Sequence, residues 1–278
     1  MDEIFSEKIS IENPALPIKY DSNYSVTQAN ELVRSKQDEL TILEAKLVRL
    51  AIAQVLKDDT DLKTYTCNAA KLAELLGITR QAIYNKIYNK DLEKISDSLM
   101  RKQIKIRKKG PKSSKDNYKS FHWVEYAEYK DGNFIIKLSE YLKPYLVGLN
   151  ELFTSYPYEE ILKLPTNYAI RLYELLCSYS SIASQNEKNE IVLDIDFLRD
   201  YFNCNDKYPQ TGDFIKRVIH AGREDIVNNT NLPCDYFPIK ERNRITKVRF
   251  VIGDWEGEAG QRILKRLRSS QHKKARIE

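Results

Sequence analysis

Two stretches of this chain, each a pair of short helices followed by a basic hairpin, predict an α+β fold. The fold is two tandem winged-helix domains, mainly helical, with small antiparallel β-hairpin wings. Three observations carry the prediction. LAELLGITRQAIYNKI, residues 72–87, divides into two short helices at Gly77. RKQIKIRKKGPKSSKDNYK, residues 101–119, enters a lysine-rich hairpin tip along an alternating strand. After residue 157 the order helix, strand, short helix, long helix and hairpin returns with different residues, so the repeat is architectural.

Residues 1–26, with Pro14, Pro17 and little periodicity, read as a mobile amino-terminal arm. From Leu40 to Leu56 a helical stripe gathers Ile42, Leu43, Leu47, Leu50, Ala51 and Leu56, and Thr41 with Glu44 spells a capping box at its start. Asn68 caps the next helix, which ends at Gly77. Thr79 caps the one after, which begins TRQAIYNKI and continues through Ile95 and Leu99. QIKIRKK alternates as a half-exposed strand and GPKSSKDN is loop chemistry. FHWVEYAEY presents Phe121, Trp123, Ala127 and Tyr129 on one face, and Asp131–Gly132 is a hairpin turn before FIIKL. This closes a first winged-helix domain over residues 27–152.

The second domain covers residues 153–257. A helix beginning near Thr166 buries Ala169, Leu172, Tyr173 and Leu176; EIVLDI follows as a strand and FLRDYFNC as a short helix. After a break at Lys207–Pro209, a long helix runs from about Gly212 to Asn228, and two strands then flank a basic bend. Residues 258–278 form a basic tail.

Composition bounds the function. A chain of 278 residues has room for two cores, and 42% hydrophobic with 31% charged residues describes a soluble globular protein. No apolar run reaches the roughly 18 residues of a membrane span, so no membrane partner is expected. The opening MDEIFSEKIS lacks the basic-then-apolar order of a secretory signal, which places the chain in the cytoplasm. Cys67, Cys177, Cys204 and Cys234 are dispersed, and the three histidines are His122, His220 and His272, so neither a metal site nor a cofactor is expected.

Enzyme readings fail on motifs. None of the nine glycines precedes a lysine, which excludes a Walker P-loop. No histidine pair serves a rolling-circle nickase, and no tight acidic cluster suggests a two-metal nuclease. His220 and Arg223 mimic the HxxR of tyrosine recombinases with Tyr236 downstream, but the other catalytic elements are missing. Catalytic residues are therefore not expected.

The charge pattern points to a polyanion. Net charge is only +5, yet nine lysines and arginines between Arg101 and Lys119 face a lone Asp116. In the first domain, Ala73, Gly77 and Ile83 sit where a helix-turn-helix needs a small residue, a turn and a branched lock. The second helix of that pair offers Arg80, Gln81, Tyr84 and Asn85 at its amino end, residue types that bond guanine and adenine edges. Lys108, Lys109 and Lys112 load its wing. In the second domain, Phe214, Ile215, Val218, Ile219, Gly222 and Ile226 fall on one face at 100° per residue. Lys216, Arg217 and His220 lie opposite, with Arg223 at the edge. Lys207 precedes this helix, and Lys240, Arg242 and Arg244 follow in its wing as phosphate contacts. The whole reads as a sequence-specific binder of double-stranded DNA.

Three blocks resemble the two-winged-helix replication initiator (Rep) proteins of theta-replicating plasmids: NELVRSKQDELTILEAKLVRLAIAQV, YAIRLYELLCSYSS, and the run from Phe197 through DFIKRVIHAGREDI to VRFVI. The resemblance implies binding to origin repeats (iterons), opening of an adjacent A·T-rich tract, and recruitment of the host initiator and replicative helicase. It also implies a monomer–dimer equilibrium in which a homodimer binds an operator and represses its own promoter. Lys216 and Arg217 match the position of the family's main DNA-contacting face, whereas Arg80, Gln81 and Tyr84 correspond loosely. The alternatives are a transcriptional regulator of the same build or a DNA-nicking or recombinase enzyme.

Overall fold

A computed structural model describes residues 24–75, 77–88, 91–108, 117–185 and 189–253, together with Gln261 and Lys265. The chain opens with β1 (Ser25–Ala29), the single turn α1 (Asn30–Val33) and β2 (Lys36–Gln37). Next come α2 (Ile42–Ala53), β3 (Thr64–Asn68), α3 (Ala69–Leu75), α4 (Arg80–Tyr88) and α5 (Asp91–Leu99). Four strands follow, β4 (Gln103–Lys108), β5 (Asn117–His122), β6 (Val124–Lys130) and β7 (Asn133–Leu138), then a 3-10 turn and α6 (Lys143–Leu146). After these come β8 (Phe153–Pro157), α7 (Tyr158–Lys163), α8 (Asn167–Ala183), β9 (Glu190–Asp194) and α9 (Ile195–Tyr201). One continuous helix then passes through α10 (Thr211–Phe214), a π-helical stretch Ile215–His220 and α11 (Ala221–Asn229). The hairpin of β10 (Cys234–Glu241) and β11 (Arg244–Ile252) completes the second domain.

The strands form small antiparallel sheets, ordered β2-β4-β5, β3-β7-β6 and β10-β11-β9, with β1 and β8 as a separate pair. Each basic hairpin thus gains a third strand from its own domain, β2 for the first and β9 for the second. β1 pairs along its whole length with β8, Ser25 opposite Pro157 and Ala29 opposite Phe153, which returns residues 153–157 to the first strand.

Local chemistry explains most boundaries. The capping box at α2 forms in both directions, Glu44 N–H donating to Thr41 Oγ1 at 3.3 Å and Thr41 N–H to Glu44 Oε2 at 2.7 Å. Thr79 Oγ1 accepts from Ala82 N–H at 3.2 Å, and Thr166 Oγ1 from Ala169 N–H at 3.1 Å. Gly77 holds φ +63, a conformation that a side chain resists, and Ile78 N–H reaches back to the Ala73 carbonyl at 3.0 Å.

Three sequence expectations need correction. The arm read over residues 1–26 runs too far, since β1 begins at Ser25 and Val26 is fully buried. α2 ends at Ala53, so Leu56 lies beyond its stripe and is 56% exposed. FHWVEYAEY is not one strand: β5 pairs with β4 and β6 with β7, and the chain changes sheet at the fully buried Trp123. Trp123 N–H donates to the Lys102 carbonyl and its own carbonyl accepts from Ser139 N–H, so its backbone bonds lie outside both ladders.

α8 is the central beam. Ala169, Leu172, Tyr173 and Leu176 are buried as the sequence predicts, but so are Arg171 and Glu174 on the opposite arc. Glu174 and Arg49 of α2 are both completely buried and joined by two bonds, Nε to Oε1 at 2.9 Å and Nη2 to Oε2 at 2.8 Å. Tyr156 of β8 donates its hydroxyl to the same carboxylate, and Gln28 of β1 donates at 3.2 Å. Burial alone would raise the Glu174 pKa, but the Arg49 charge and bonds, with Arg171 and Tyr156, hold it below the ordinary 4.5.

Glu174→Leu strands Arg49 without its counter-charge and is expected to cost about 3–5 kcal/mol in urea unfolding. Pairing it with Arg49→Met should recover most of that loss. The wild type holds this contribution in full above pH 4.5 and loses it as pH falls below that value through the depressed folded pKa.

Candidate nucleic-acid interface

In the first domain, α3 and α4 form the expected helix-turn-helix. Ala73 and Ile83 are buried in the crossing and Gly77 makes the turn between them. Arg80, Gln81, Tyr84 and Asn85 project from the start of α4, all exposed, Tyr84 to 58%. Gln81 Nε2 lies 3.4 Å from Asn85 Oδ1, so two amide side chains one turn apart share a face. On the adjoining wing, Lys108 pairs with Asn117 through the backbone. Its side chain, with Lys109 and Lys112, lies outside the described residues. Lys105 stands 5.2 Å over the exposed ring of Tyr118 on the same hairpin.

In the second domain the long helix sorts its side chains in strict pairs. Phe214 and Ile215, Val218 and Ile219, and Gly222 and Arg223 are buried; Lys216 and Arg217, and His220 and Ala221, are exposed between them. That alternation has a period of four. The π-helical stretch Ile215–His220 supplies it by widening each turn beyond 3.6 residues. Gly222 sits against α8, where an added Cβ would meet Leu172 Cδ2 at 3.2 Å. The helix therefore packs closely on the beam and turns one narrow cationic edge outward.

Arg223 is a correction to the sequence reading. Placed at the edge of a 100° wheel, it is carried by the wider turn to the buried side, only 6% exposed. There its Nη2 meets Asp235 of β10 at 3.2 Å, and Nη1 binds Glu224. This also separates the recombinase-like trio, since the Arg223 guanidinium is committed to the interior while His220 faces outward with its ring 6.0 Å from Tyr236. Lys207 is placed differently as well: Glu39 of the first domain pairs with its ammonium and raises its pKa, chiefly through that hydrogen bond.

The β10–β11 hairpin carries Lys240, Arg242 and Arg244, all exposed. Among the described residues none of these, nor Lys216, Arg217 or Arg80, forms an ion pair. An uncompensated edge of this kind attracts an anion. At the hairpin tip Arg242 and Asn243 adopt φ +49 and +66, a turn usually given to glycine or asparagine. Between the tip and the start of the long helix lies an open cleft of about 710 Å³, lined by Arg199, Asn205, Thr211, Lys240, Asn243 and Arg244. Sequence reading missed Arg199, Asn205, Thr211 and Asn243, because the cleft joins segments far apart in the chain.

Among the described residues no cluster of three or more His, Cys, Asp or Glu could hold a metal ion, and no helix is long and apolar enough to cross a membrane. Cys67, Cys204 and Cys234 are buried free thiols, and Cys177 is half-buried.

Two variants should separate support from contact. Arg223→Ala removes the cation that faces the buried Asp235 and is expected to lower stability by about 3 kcal/mol without changing the duplex affinity of the folded protein. Arg242→Gly relieves a left-handed backbone and is expected to keep or raise the melting temperature while weakening duplex binding severalfold. Thermal denaturation and a duplex titration on both variants check this contrast.

The chain matches the family model described as Initiator Replication protein, WH1, over residues 25–177, and that described as Initiator Rep protein, WH2, over residues 194–252. Among solved structures it is similar to the Pi initiator protein in complex with iteron DNA, at 19% identity over 84% of this chain and 99% of that one, with a TM-score of 0.62. At that identity the likeness shows the fold, two winged helices in tandem. A fragment holding domains 2 and 3 of RctB matches at 13% identity over 79% of this chain and 85% of that one, with a TM-score of 0.38. The WH1 model alone spans more than half of the sequence, and with WH2 following it in order this chain belongs to the Initiator Replication protein family.

Proposed function

We propose that this initiator binds tandem repeats (iterons) of a plasmid origin in double-stranded DNA and promotes opening of a neighbouring A·T-rich tract. It then recruits the host initiator and replicative helicase. In a monomer–dimer equilibrium, the dimer binds an operator and represses the protein's own promoter. It works in the cytoplasm, without a cofactor and without catalytic chemistry.

The observation that carries this reading is the outward edge Lys216, Arg217 and His220, free of ion pairs among the described residues and flanked by the wing cations Lys240, Arg242 and Arg244. A helix edge of that width fits a major groove about 12 Å across, where arginine and lysine bond guanine O6 and N7. The wing cations then fall on phosphates and set position. The second domain, residues 153–257, supplies most of the specificity. The first, residues 27–152, adds phosphate contacts from its wing, some base readout from Arg80, Gln81, Tyr84 and Asn85, and the dimer surface. Lys207, exposed beside Glu39, is a further phosphate contact, whereas Arg223 holds the scaffold. The Pi initiator protein, which shares this fold, is crystallised with iteron DNA, and that supports the choice of repeats as target.

The test uses supercoiled plasmid carrying the origin. Wild-type protein is expected to footprint the repeats and make the A·T-rich tract permanganate-reactive. Lys216→Ala with Arg217→Ala should abolish the footprint. The affinity should fall with salt at a log–log slope of about −0.9 per phosphate neutralised. A footprint without permanganate reactivity would favour a transcriptional regulator. Conversion to open circles would mean a nickase. An unchanged footprint in the double variant would overturn the assignment of the helix edge.

A further inference from the structure

The loop before the long helix, residues 203–208, is held by a side chain from neither the groove-facing edge nor the wing. Arg199 of α9 donates from Nη1 to the carbonyls of Cys204 at 3.1 Å and Lys207 at 3.0 Å, and from Nη2 to that of Tyr208 at 2.8 Å. Its guanidinium also lies 4.9 Å over the ring of Phe214, at the start of the long helix. One side chain thus binds three loop carbonyls and the first buried ring of the helix. Asn203 and Tyr208 bracket the loop with φ +54 and +53, conformations that side chains resist and that such bonds must impose. Further anchors sit on both sides: Tyr168 meets Cys204 Sγ at 3.6 Å, and Asn205 donates to Asp200 at 3.1 Å.

This loop ends on a contact with the groove-facing edge. The Tyr208 ring, turned by its left-handed backbone, stands 5.9 Å from the Arg217 guanidinium. Arginine on an open helix face samples many rotamers, and ordering it on binding costs affinity. A ring beside the guanidinium selects among those rotamers before DNA arrives. The planar fork is what matters for guanine, because two parallel bonds need it correctly angled.

We infer that Arg199 and Tyr208 are positioning residues for DNA recognition: Arg199 folds the 203–208 loop, and Tyr208 on that loop sets the pose of Arg217. The inference rests on the proposed reading of the helix edge as the base-reading surface. It assigns the role to the ring of Tyr208, not to its hydroxyl.

The test compares full-length variants for binding to one origin repeat and to a scrambled duplex of equal length, with melting temperatures alongside. Tyr208→Asn keeps a residue that tolerates the left-handed backbone but removes the ring. It is expected to weaken repeat binding about tenfold and leave scrambled-duplex binding unchanged. Tyr208→Phe should behave as wild type. In an Arg217→Ala background, Tyr208→Asn should cause no further loss, because its effect runs through that guanidinium. Arg199→Lys, which keeps the charge but cannot hold three carbonyls, should reproduce the Arg217-dependent loss. A repeat affinity for Tyr208→Asn equal to wild type overturns the inference. So does an equal loss on both duplexes, a Tyr208→Phe as weak as Tyr208→Asn, or an undiminished effect in the Arg217→Ala background. A wild type that fails to prefer the repeat overturns the proposed function along with it, whereas a selective wild type with a silent Tyr208→Asn overturns positioning alone.

Discussion

Glu174 carries a negative charge in the interior, and the convergence of β1, α2, β8 and α8, whose contacting residues all lie within residues 25–177, follows from how that charge is met. A carboxylate out of water costs several kcal/mol unless a cation and hydrogen bonds replace its hydration. Arg49 comes from α2, Tyr156 from β8 and Gln28 from β1, so three elements must converge on Glu174 of α8 for the site to exist at all. One turn before Glu174, Arg171 donates to the carbonyls of Val33 and Ser35 and accepts, at its own carbonyl, the hydroxyl of Tyr201 on α9. A pair of this kind adds little net stability over apolar packing. Its effect falls on geometry, since a half-satisfied network is worse than none.

The same beam sets the long helix of the second domain. Gly222 brings that helix onto Leu172 and the backbone of α8, two residues before the buried carboxylate. With one side fixed so closely, the π-helical stretch decides what faces outward. Its period of four keeps Lys216, Arg217 and His220 together and sends Arg223 inward to Asp235. Charge follows the same division. Cations that brace the two domains are neutralised in place, Lys36 and Arg107 by Asp200 and Lys207 by Glu39, while Lys216, Arg217, Lys240, Arg242 and Arg244 form no ion pair among the described residues.

Much of this was legible because the signals are local. The Thr41–Glu44 box, the turn at Gly77 and the apolar face of the long helix depend on residues within a few positions of one another. What escaped reading depends on distant partners. Lys207 looks like another basic residue before a recognition helix, and its partner Glu39 is 168 positions away. Arg49 and Glu174 sit on arcs a helical wheel assigns to solvent, and only their meeting across 125 positions makes burial tolerable. Arg223 failed for a geometric reason, because 100° per residue is the wrong angle where the helix widens. Trp123 marks a change of sheet: Trp123 and Val124 are buried one after the other and the register shifts before Tyr126, a break that reading one strand through Tyr129 passed over.

α8 carries Glu174 towards α2 and Leu172 against the long helix, and on that beam we propose that the two winged helices meet DNA with both helix edges at once. Amide hydrogen exchange of the full chain, with and without a single duplex repeat, tests it most directly. Slowed exchange at both residues 79–85 and residues 215–221, rising together at the same DNA concentration, is the expected result. Protection of one helix while the other exchanges as in the free protein would contradict it.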